Sequence, residues 1–306
     1  MTTRTELNKE KQKEIINEEM HIKRKRFILS FLKFIVFVIV FTTLFFFYVT
    51  YVSNAKIIVK ENRVISKRLP DNFNGLKIIQ FSDVHFGTTI FNDELNNLVK
   101  LINSRKPDLV VFTGDLIDKE YKLNSKEQEK IITSLKSIDA SIGKYAIYGD
   151  EDKEEFNTIF NQSDFTILNN DYDLLYKNNT NPILLVGVNS SLNKKIDIDK
   201  AYKYFKDETS NSNIFTISIL HEPDSVVDIS NSYKSDLFLA GHSHNGQVRI
   251  PYIGSFSRKD GARKYYNEHY TLDNSQLFIS SGIGTNGGGV RLFTRPSINY
   301  LRLSNK

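Results

Sequence analysis

Five short apolar runs in this chain each end on an aspartate or a histidine, and that rhythm limits the fold more than any other feature. Residues 76–81 (LKIIQF) lead to Asp83 and His85, residues 109–113 (LVVFT) to Gly114-Asp115, and residues 144–148 (KYAIY) to Gly149-Asp150. Residues 214–220 (IFTISIL) stop at His221, and residues 237–240 (LFLA) at Gly241-His242-Ser243-His244. Between the first two runs, Leu95, Leu98, Val99 and Ile102 recur at helical spacing. Between the second and third, Ser125 and Gln128 resemble a capping box ahead of Ile131, Ile132 and Leu135. Strand, helix, strand, helix, strand predicts a layered α/β domain. Residues 183–188 (ILLVGV) read as one more buried strand and residues 56–66 as a β-rich lead-in. Residues 189–213, rich in Asn, Ser and Lys, read as a surface excursion, and residues 247–303 as an antiparallel β region that closes the sheet.

Each motif alone is weak, since an Asp-x-His pair is most often a surface turn. Their order is what counts, because open α/β sheets bind ligands at the C-terminal ends of their strands. That edge would bring together Asp83, His85, Asp115, Asp150, His221, His242 and His244. Imidazole and carboxylate without thiolate suit Mn²⁺, Fe or Zn²⁺, and the chain has no cysteine to offer. Seven ligands are too many for one ion and suit two that share a bridging carboxylate. Two ions roughly 3.5–4 Å apart can clamp the oxygens of an in-line phosphoryl displacement.

The N-terminus is a different kind of sequence. From residue 27 to residue 52 there is no acidic side chain and one basic one, Lys33. The uninterrupted stretch from 34 to 52 is 19 residues long, enough to cross a hydrocarbon core of about 30 Å. A cleaved signal peptide is the rival reading, with Ser53-Asn54-Ala55 as a faint cleavage site, but its apolar region would be shorter. Lys23-Arg24-Lys25-Arg26 places the preceding tail on the cytoplasmic side. The expected organisation is a cytoplasmic basic tail (1–26), a transmembrane anchor (27–52) and an extracytoplasmic domain (53–306) at the cell membrane. Residues 53–306 hold 32 basic and 31 acidic side chains, so the domain lacks a nucleic-acid footprint and no nucleic-acid partner is expected.

Asp83-x-His85, Gly114-Asp115-x-x-Asp118, the Gly149 segment, the lone His221 and Gly241-His242-x-His244 resemble the calcineurin-like metallophosphoesterases, in their bacterial branch with an N-terminal membrane anchor. Asn245 to Pro251 (NGQVRIP) and Gly282-Ile283-Gly284-Thr285 are similar to that branch as well, so the likeness spans residues 76–303. The resemblance implies a four-layer α/β/β/α sandwich with a dinuclear centre at the strand ends. It implies that Asp83, His85 and His244 hold one metal, Asp115 bridges, and Asp150, His221 and His242 hold the other. Mn²⁺ is the first choice of ion, with Fe or Zn²⁺ as alternatives. Asp118 would help orient the site. The implied activity is hydrolysis of a phosphoester, possibly lipid-linked, by a metal-bound hydroxide.

One motif departs from the family pattern. Where the family has Gly-Asn-His-Asp/Glu, this chain has Gly149-Asp150-Glu151-Asp152. Asp150 can still ligate through oxygen, but a third carboxylate brings the metal core close to neutral, so it acidifies bound water less. Glu151 stands where the family's histidine assists the reaction, and a carboxylate there repels a dianionic monoester more than a monoanionic diester. A protonated Glu151 would instead serve as a general acid. The alternative outcome is a metal-binding envelope protein of this fold with little turnover. Outside these motifs, residues 284–289 (GTNGGG) read as a plain turn because they lack the lysine of a nucleotide loop. Arg291 and Arg295 could steer an anion or pair with flanking strands, and Tyr265, Tyr266 and Tyr270 read as packing.

Overall fold

The computed structural model describes residues 4–306 except 54–55, 179, 194, 208–210 and 288. Asn54 and Ala55 of the cleavage-like triplet and Gly288 of the glycine-rich turn therefore lie outside the described residues. Two compact units divide the chain, Met1–Val49 and Thr50–Lys306.

The first unit is one helix, α1 (Arg4–Phe47), which continues as a π-helical turn over Tyr48–Val52. The charged residues 6–20 are thus helical, as a stretch rich in Glu, Lys and Ile allows. Every side chain from residue 27 to residue 47 is exposed. By length and composition this apolar helix is long enough to cross a membrane.

The second unit follows in the order β1 (Ile58–Ile65), β2 (Lys77–Phe81), α2 (Asn92–Ser104), β3 (Leu109–Phe112), α3 (Ser125–Lys136), β4 (Gly143–Ala146), α4 (Glu155–Gln162) and β5 (Thr166–Ile167). Then come β6 (Asp171–Lys177), β7 (Thr180–Gly187), α5 (Ile198–Ala201), β8 (Thr216–Leu220), α6 (Val226–Ser232) and β9 (Leu237–Ala240). The chain ends with β10 (Arg249–Ile250), β11 (Gly254–Ser255), β12 (His269–Thr271), β13 (Gln276–Ile279) and β14 (Ser297–Ser304).

One six-stranded sheet has the order β1-β14-β2-β3-β4-β5 and the other β12-β13-β9-β8-β7-β6. β2 to β5 run parallel because helices α2, α3 and α4 carry the chain back between them. The alternation of each strand decides the layers. From the first sheet, Ile79, Phe81, Val110 and Phe112 face those helices, packing on Leu95, Leu98, Ile131, Leu135 and Phe160. Ile78, Leu109 and Val111 face the second sheet, against Leu185, Ile217, Ile219 and Leu239. The far face of the second sheet, with Leu184, Val186 and Phe238, is covered by Ala201, Tyr202, Val226 and Ile229. The result is the four-layer α/β/β/α sandwich.

Three expectations change in detail. Residues 189–213 are more than a surface excursion, because they bring Ala201 and Tyr202 to full burial as part of the outer layer. The C-terminal region is not antiparallel throughout. β12 pairs antiparallel with β13, but β13 runs parallel to β9 and β14 runs parallel to β1. Alternation alone does not carry strand direction. The cap of α3 is Asn124 and not Ser125: its Oδ1 accepts from the Glu127 amide at 3.0 Å, and Glu127 accepts from the Asn124 amide at 3.3 Å. Asn124→Ala is expected to cost about 1 kcal/mol and Ser125→Ala close to nothing, read as midpoint shifts in urea denaturation.

Candidate functional site

Register sets up the site before any side chain does. Phe81, Phe112 and Ala146 pair across β2, β3 and β4, and Leu220, Ala240 and Ile279 pair across β8, β9 and β13. The loops that leave these strands therefore begin level with one another. The Asp83 amide donates to the Gly114 carbonyl at 2.9 Å, and the His242 amide donates to the Asp83 carboxylate at 3.0 Å. The two sheets are thus joined at this edge.

The turns that bring these residues inward use a rare backbone. Asp83, His85, Asp115, His242 and His244 all lie in the left-handed region, with φ between 42° and 64°. L-residues hold that conformation at a cost of order 1 kcal/mol each, and such residues gather at functional sites. Two glycines make room for the Asp115 carboxylate and the His221 ring. A Cβ on Gly149 would lie 2.1 Å from Asp115 Oδ1, and one on Gly114 would lie 2.5 Å from His221 Nδ1.

All seven residues expected as ligands meet in two groups. Asp83, His85 and His244 form one, and Asp115, Asp150, His221 and His242 form the other. In the first, His244 Nε2 is 3.1 Å from His85 Nε2 and 3.2 Å from Asp83 Oδ1. In the second, Asp150 Oδ1 is 3.0 Å from both His221 Nε2 and His242 Nδ1. Asp115 Oδ2 lies between the groups, 3.2 Å from His221 Nε2 and 3.8 Å from His85 Nε2. Six of the seven are buried and Asp150 is half-buried.

The donor atoms fit divalent cations. Ligand atoms about 2.1 Å from one ion stand about 3.0–3.4 Å apart at octahedral or tetrahedral angles, which is the spacing found within each group. His221 Nδ1 donates to the Thr113 carbonyl at 2.6 Å, and His242 Nε2 donates to the Asp260 carbonyl at 2.7 Å. Each ring therefore turns the lone pair of its other nitrogen toward the site. Asp115 Oδ2 is buried with no aligned hydrogen bond among the described residues, the position expected of a bridging oxygen. Charge tells the same story. Burial alone would lower the His221 pKa, yet the Asp115 carboxylate raises it well above the ordinary histidine value.

The surroundings assign the other residues. Asp152 accepts from the Asp115 and Gly149 amides at 2.8 Å and from the Leu116 amide at 2.9 Å. Burial, then the Asp115 charge, push its pKa up to about 7 against those three donors. Asp152 is the brace that ties the loop after β4 to the loop after β3. Glu151 lies 3.2 Å from His85 Nδ1, without the alignment of a hydrogen bond, and accepts from Asn286 Nδ2 at 2.8 Å. It also lines a cleft of about 210 Å³ with Leu116, Ile117, Tyr121, Lys122 and Lys153. Asp118 lines that cleft too but touches none of the seven ligands, since its carboxylate accepts from Thr88 Oγ1 at 2.8 Å and the Glu120 amide at 3.0 Å.

Sequence reasoning missed three residues. Arg291 neither steers an anion at the surface nor pairs with a strand. It is fully buried and donates to the Ser281, Gly282 and Gly284 carbonyls, with one nitrogen 3.4 Å from His244 Nδ1. The 284–289 turn is more than a turn, because it delivers Asn286 to Glu151. Lys259 Nζ is buried with no partner among the described residues, and after burial its charge is the main influence that lowers the His244 pKa. Nothing in the local sequence marks these three, because each is brought in by loops from distant strands. Adding Mn²⁺ to metal-stripped protein is expected to raise the melting temperature by several degrees at saturating ion. The same titration of Asp115→Asn should give a much smaller rise, and calorimetry checks both.

Comparison with known proteins agrees with this geometry. A family model described as calcineurin-like phosphoesterase matches residues 76–246. An uncharacterised metallophosphoesterase of Bacillus subtilis, YkuE, is 28% identical over 84% of this chain and 88% of its own length. A UDP-2,3-diacylglucosamine pyrophosphatase of Chlamydia muridarum, LpxG, is 23% identical over 77% of this chain and 86% of its own. A phosphodiesterase of Escherichia coli, YaeI, is 23% identical over 76% and 84%. With more than half of its length matched by that model, the chain belongs to the calcineurin-like phosphoesterase family, hydrolases of phosphoric ester bonds.

Proposed function

We propose that the protein is a membrane-anchored, two-metal phosphodiesterase acting on a phosphoester of the cell envelope. The observation that carries this reading is the pair of donor groups at the sheet edge, with Asp115 Oδ2 of one lying 3.8 Å from His85 Nε2 of the other. Residues 1–26 form the cytoplasmic tail, residues 27–52 the anchor and residues 53–306 the extracytoplasmic catalytic domain. The basic run Lys23 to Arg26 supports that orientation, and the exposed apolar side of α1 supports the span. Asp83, His85 and His244 hold one ion and Asp150, His221 and His242 the other, with Asp115 between them. The thiolate-free donor set suits Mn²⁺ first, then Fe or Zn²⁺. When bound, the two ions supply an acidified water as nucleophile and positive charge for the phosphoryl oxygens.

The chain's own residues decide the substrate. Glu151 accepts from Asn286 Nδ2 at 2.8 Å and from the Lys119 amide at 3.3 Å. Its negative charge beside the ligands opposes a dianionic monoester and tolerates a monoanionic diester. Lys259 supplies the attraction. An unpartnered ammonium beside a site built to hold cations is satisfied by an anion, and a substrate phosphoryl oxygen is the anion this site is made for. Asp118 acts as a positioning residue through Thr88, whose amide donates to the His85 carbonyl at 3.2 Å. The Chlamydia relative is named for a diacylated nucleotide sugar, which supports a lipid-linked substrate here.

The test is hydrolysis of bis(p-nitrophenyl) phosphate and p-nitrophenyl phosphate by the full chain in detergent, with Mn²⁺, Fe²⁺ or Zn²⁺ added. Metal-dependent cleavage of the diester above the monoester is expected, and Asp115→Asn should reduce it by at least about 100-fold. Equal or greater monoester cleavage would overturn the diester assignment. Two ions bound with no turnover on either ester would overturn the catalytic reading. Lys259→Gln should lower kcat/KM for the diester by about 10- to 100-fold, the value of a charge-assisted hydrogen bond, while leaving metal content intact. Glu151→His should move the preference toward the monoester, measured as the ratio of the two kcat/KM values.

A further inference from the structure

The β10–β11 hairpin begins five residues beyond His244 and carries an apolar tip that none of the described residues of the second unit covers. Tyr252 is fully exposed, and Ile253 and Phe256 are 76% and 77% exposed. Phe293, 60% exposed, joins them, because Arg249 and Leu292 are linked backbone to backbone at 3.0 Å beside the hairpin. The tip is held in shape. The Ile253 amide donates to the Ile250 carbonyl at 3.1 Å and the Phe256 amide to the Val248 carbonyl at 3.0 Å. Tyr252 adopts a left-handed φ of 67° at the turn. Large aromatic and aliphatic side chains, fixed outward on a short hairpin, are stable in water only at a cost in apolar hydration.

Charge identifies what covers them. From Arg249 to Lys264 the chain has five basic residues, Arg249, Arg258, Lys259, Arg263 and Lys264, and one acidic, Asp260. The remainder of residues 53–306 then holds 27 basic and 30 acidic side chains. The hairpin region is therefore the basic part of an otherwise slightly acidic domain. Tyr, Phe and Ile followed along the chain by the exposed Arg258, Arg263 and Lys264 match the interface of a bilayer with anionic headgroups, where aromatic rings sit at headgroup level and basic side chains meet phosphate.

We infer that residues 250–256, with Phe293, insert into the interfacial layer of an anionic phospholipid bilayer and present the active site to a phosphoester whose acyl chains remain in that bilayer. This rests on the anchored reading above, which keeps the domain at a lipid surface. The same loop supports the link to the site, since three residues after Phe256 it delivers Lys259, and the Asp260 carbonyl beside it fixes His242. A membrane that engages the tip thus holds the segment bearing the phosphate-binding lysine.

The chain has no tryptophan, so single tryptophans report cleanly. The full chain carrying Ile253→Trp, Phe256→Trp, Tyr176→Trp or Phe37→Trp is reconstituted in vesicles of equal parts phosphatidylcholine and phosphatidylglycerol, with and without bromine on the acyl chains. Tyr176 is an exposed control on β6 and Phe37 lies in α1. Bromine should quench Ile253→Trp and Phe256→Trp well above Tyr176→Trp, with blue-shifted emission. Adding Arg258→Glu and Arg263→Glu should weaken that quenching. Hairpin tryptophans quenched no more than Tyr176→Trp overturn the inference. A blue shift without bromine quenching also overturns it, because the tip is then covered by protein. Phe37→Trp says which reading failed: quenched, the anchor stands and the hairpin inference alone falls; unquenched, the anchor falls as well.

Discussion

Seven titratable side chains packed at one sheet edge are the constraint on which the rest of this structure depends. Two imidazole nitrogens 3.1 Å apart in His85 and His244, and a buried carboxylate oxygen of Asp115 with no aligned hydrogen bond among the described residues, concentrate polar atoms where burial is costly. They become favourable once cations stand between them. Five of the seven residues also hold a left-handed backbone, and strain of this kind persists only where the surroundings over-determine it. Here the surroundings are the three apolar layers and the Asp152 brace. Asp152 fixes the amides of Gly149, Asp115 and Leu116 with one carboxylate, so two strand ends move as one.

Much of this was legible from residues alone, for a physical reason. Parallel strands buried on both faces must be continuous apolar runs, and their polar ends must lie at a common edge. The runs at 76–81, 109–113, 144–148, 214–220 and 237–240 therefore located the ligands without any distance being known. What stayed hidden depended on the chain's path beyond the motifs. Lys259 and Asn286 come from loops whose sequences are ordinary, and Arg291 reads as a surface cation until burial places it under His244. The direction of β13 and β14 was hidden for the same reason, since alternation fixes which face is buried and not which way the strand runs. The helical cap shifted by one residue because Asn124 and Ser125 are both competent caps, and backbone geometry chose between them.

The departure at Asp150 and Glu151 is coherent when its neighbours are included. Asp150 keeps contact with His221 and His242, so the ligand position is filled by an oxygen as it would be with asparagine. Glu151 is accommodated by Asn286, a donor supplied from the far end of the chain. Lys259, on the loop after β11, places a positive charge that acts on His244. On the proposed reading, the positive charge that meets the substrate lies on this loop and not in the motif. On the proposed reading, selectivity by substrate charge rests on Glu151, whose carboxylate opposes a dianionic monoester more than a monoanionic diester.

That relocation also explains why the 249–264 segment has so unusual a composition. A lysine on a loop is only as well placed as the loop itself, and this one is tied to the centre by the Asp260 carbonyl on His242 and by the hairpin bonds above it. Its remaining face is apolar and open. For an enzyme whose substrate is dissolved in water, exposed Tyr252, Ile253 and Phe256 would be a liability with no return. For one whose substrate is held in a bilayer, the same residues complete the loop that carries the phosphate-binding charge. On the proposed reading, docking and catalysis draw on one segment, with the anchor, the apolar tip and Lys259 acting toward the same phosphoester.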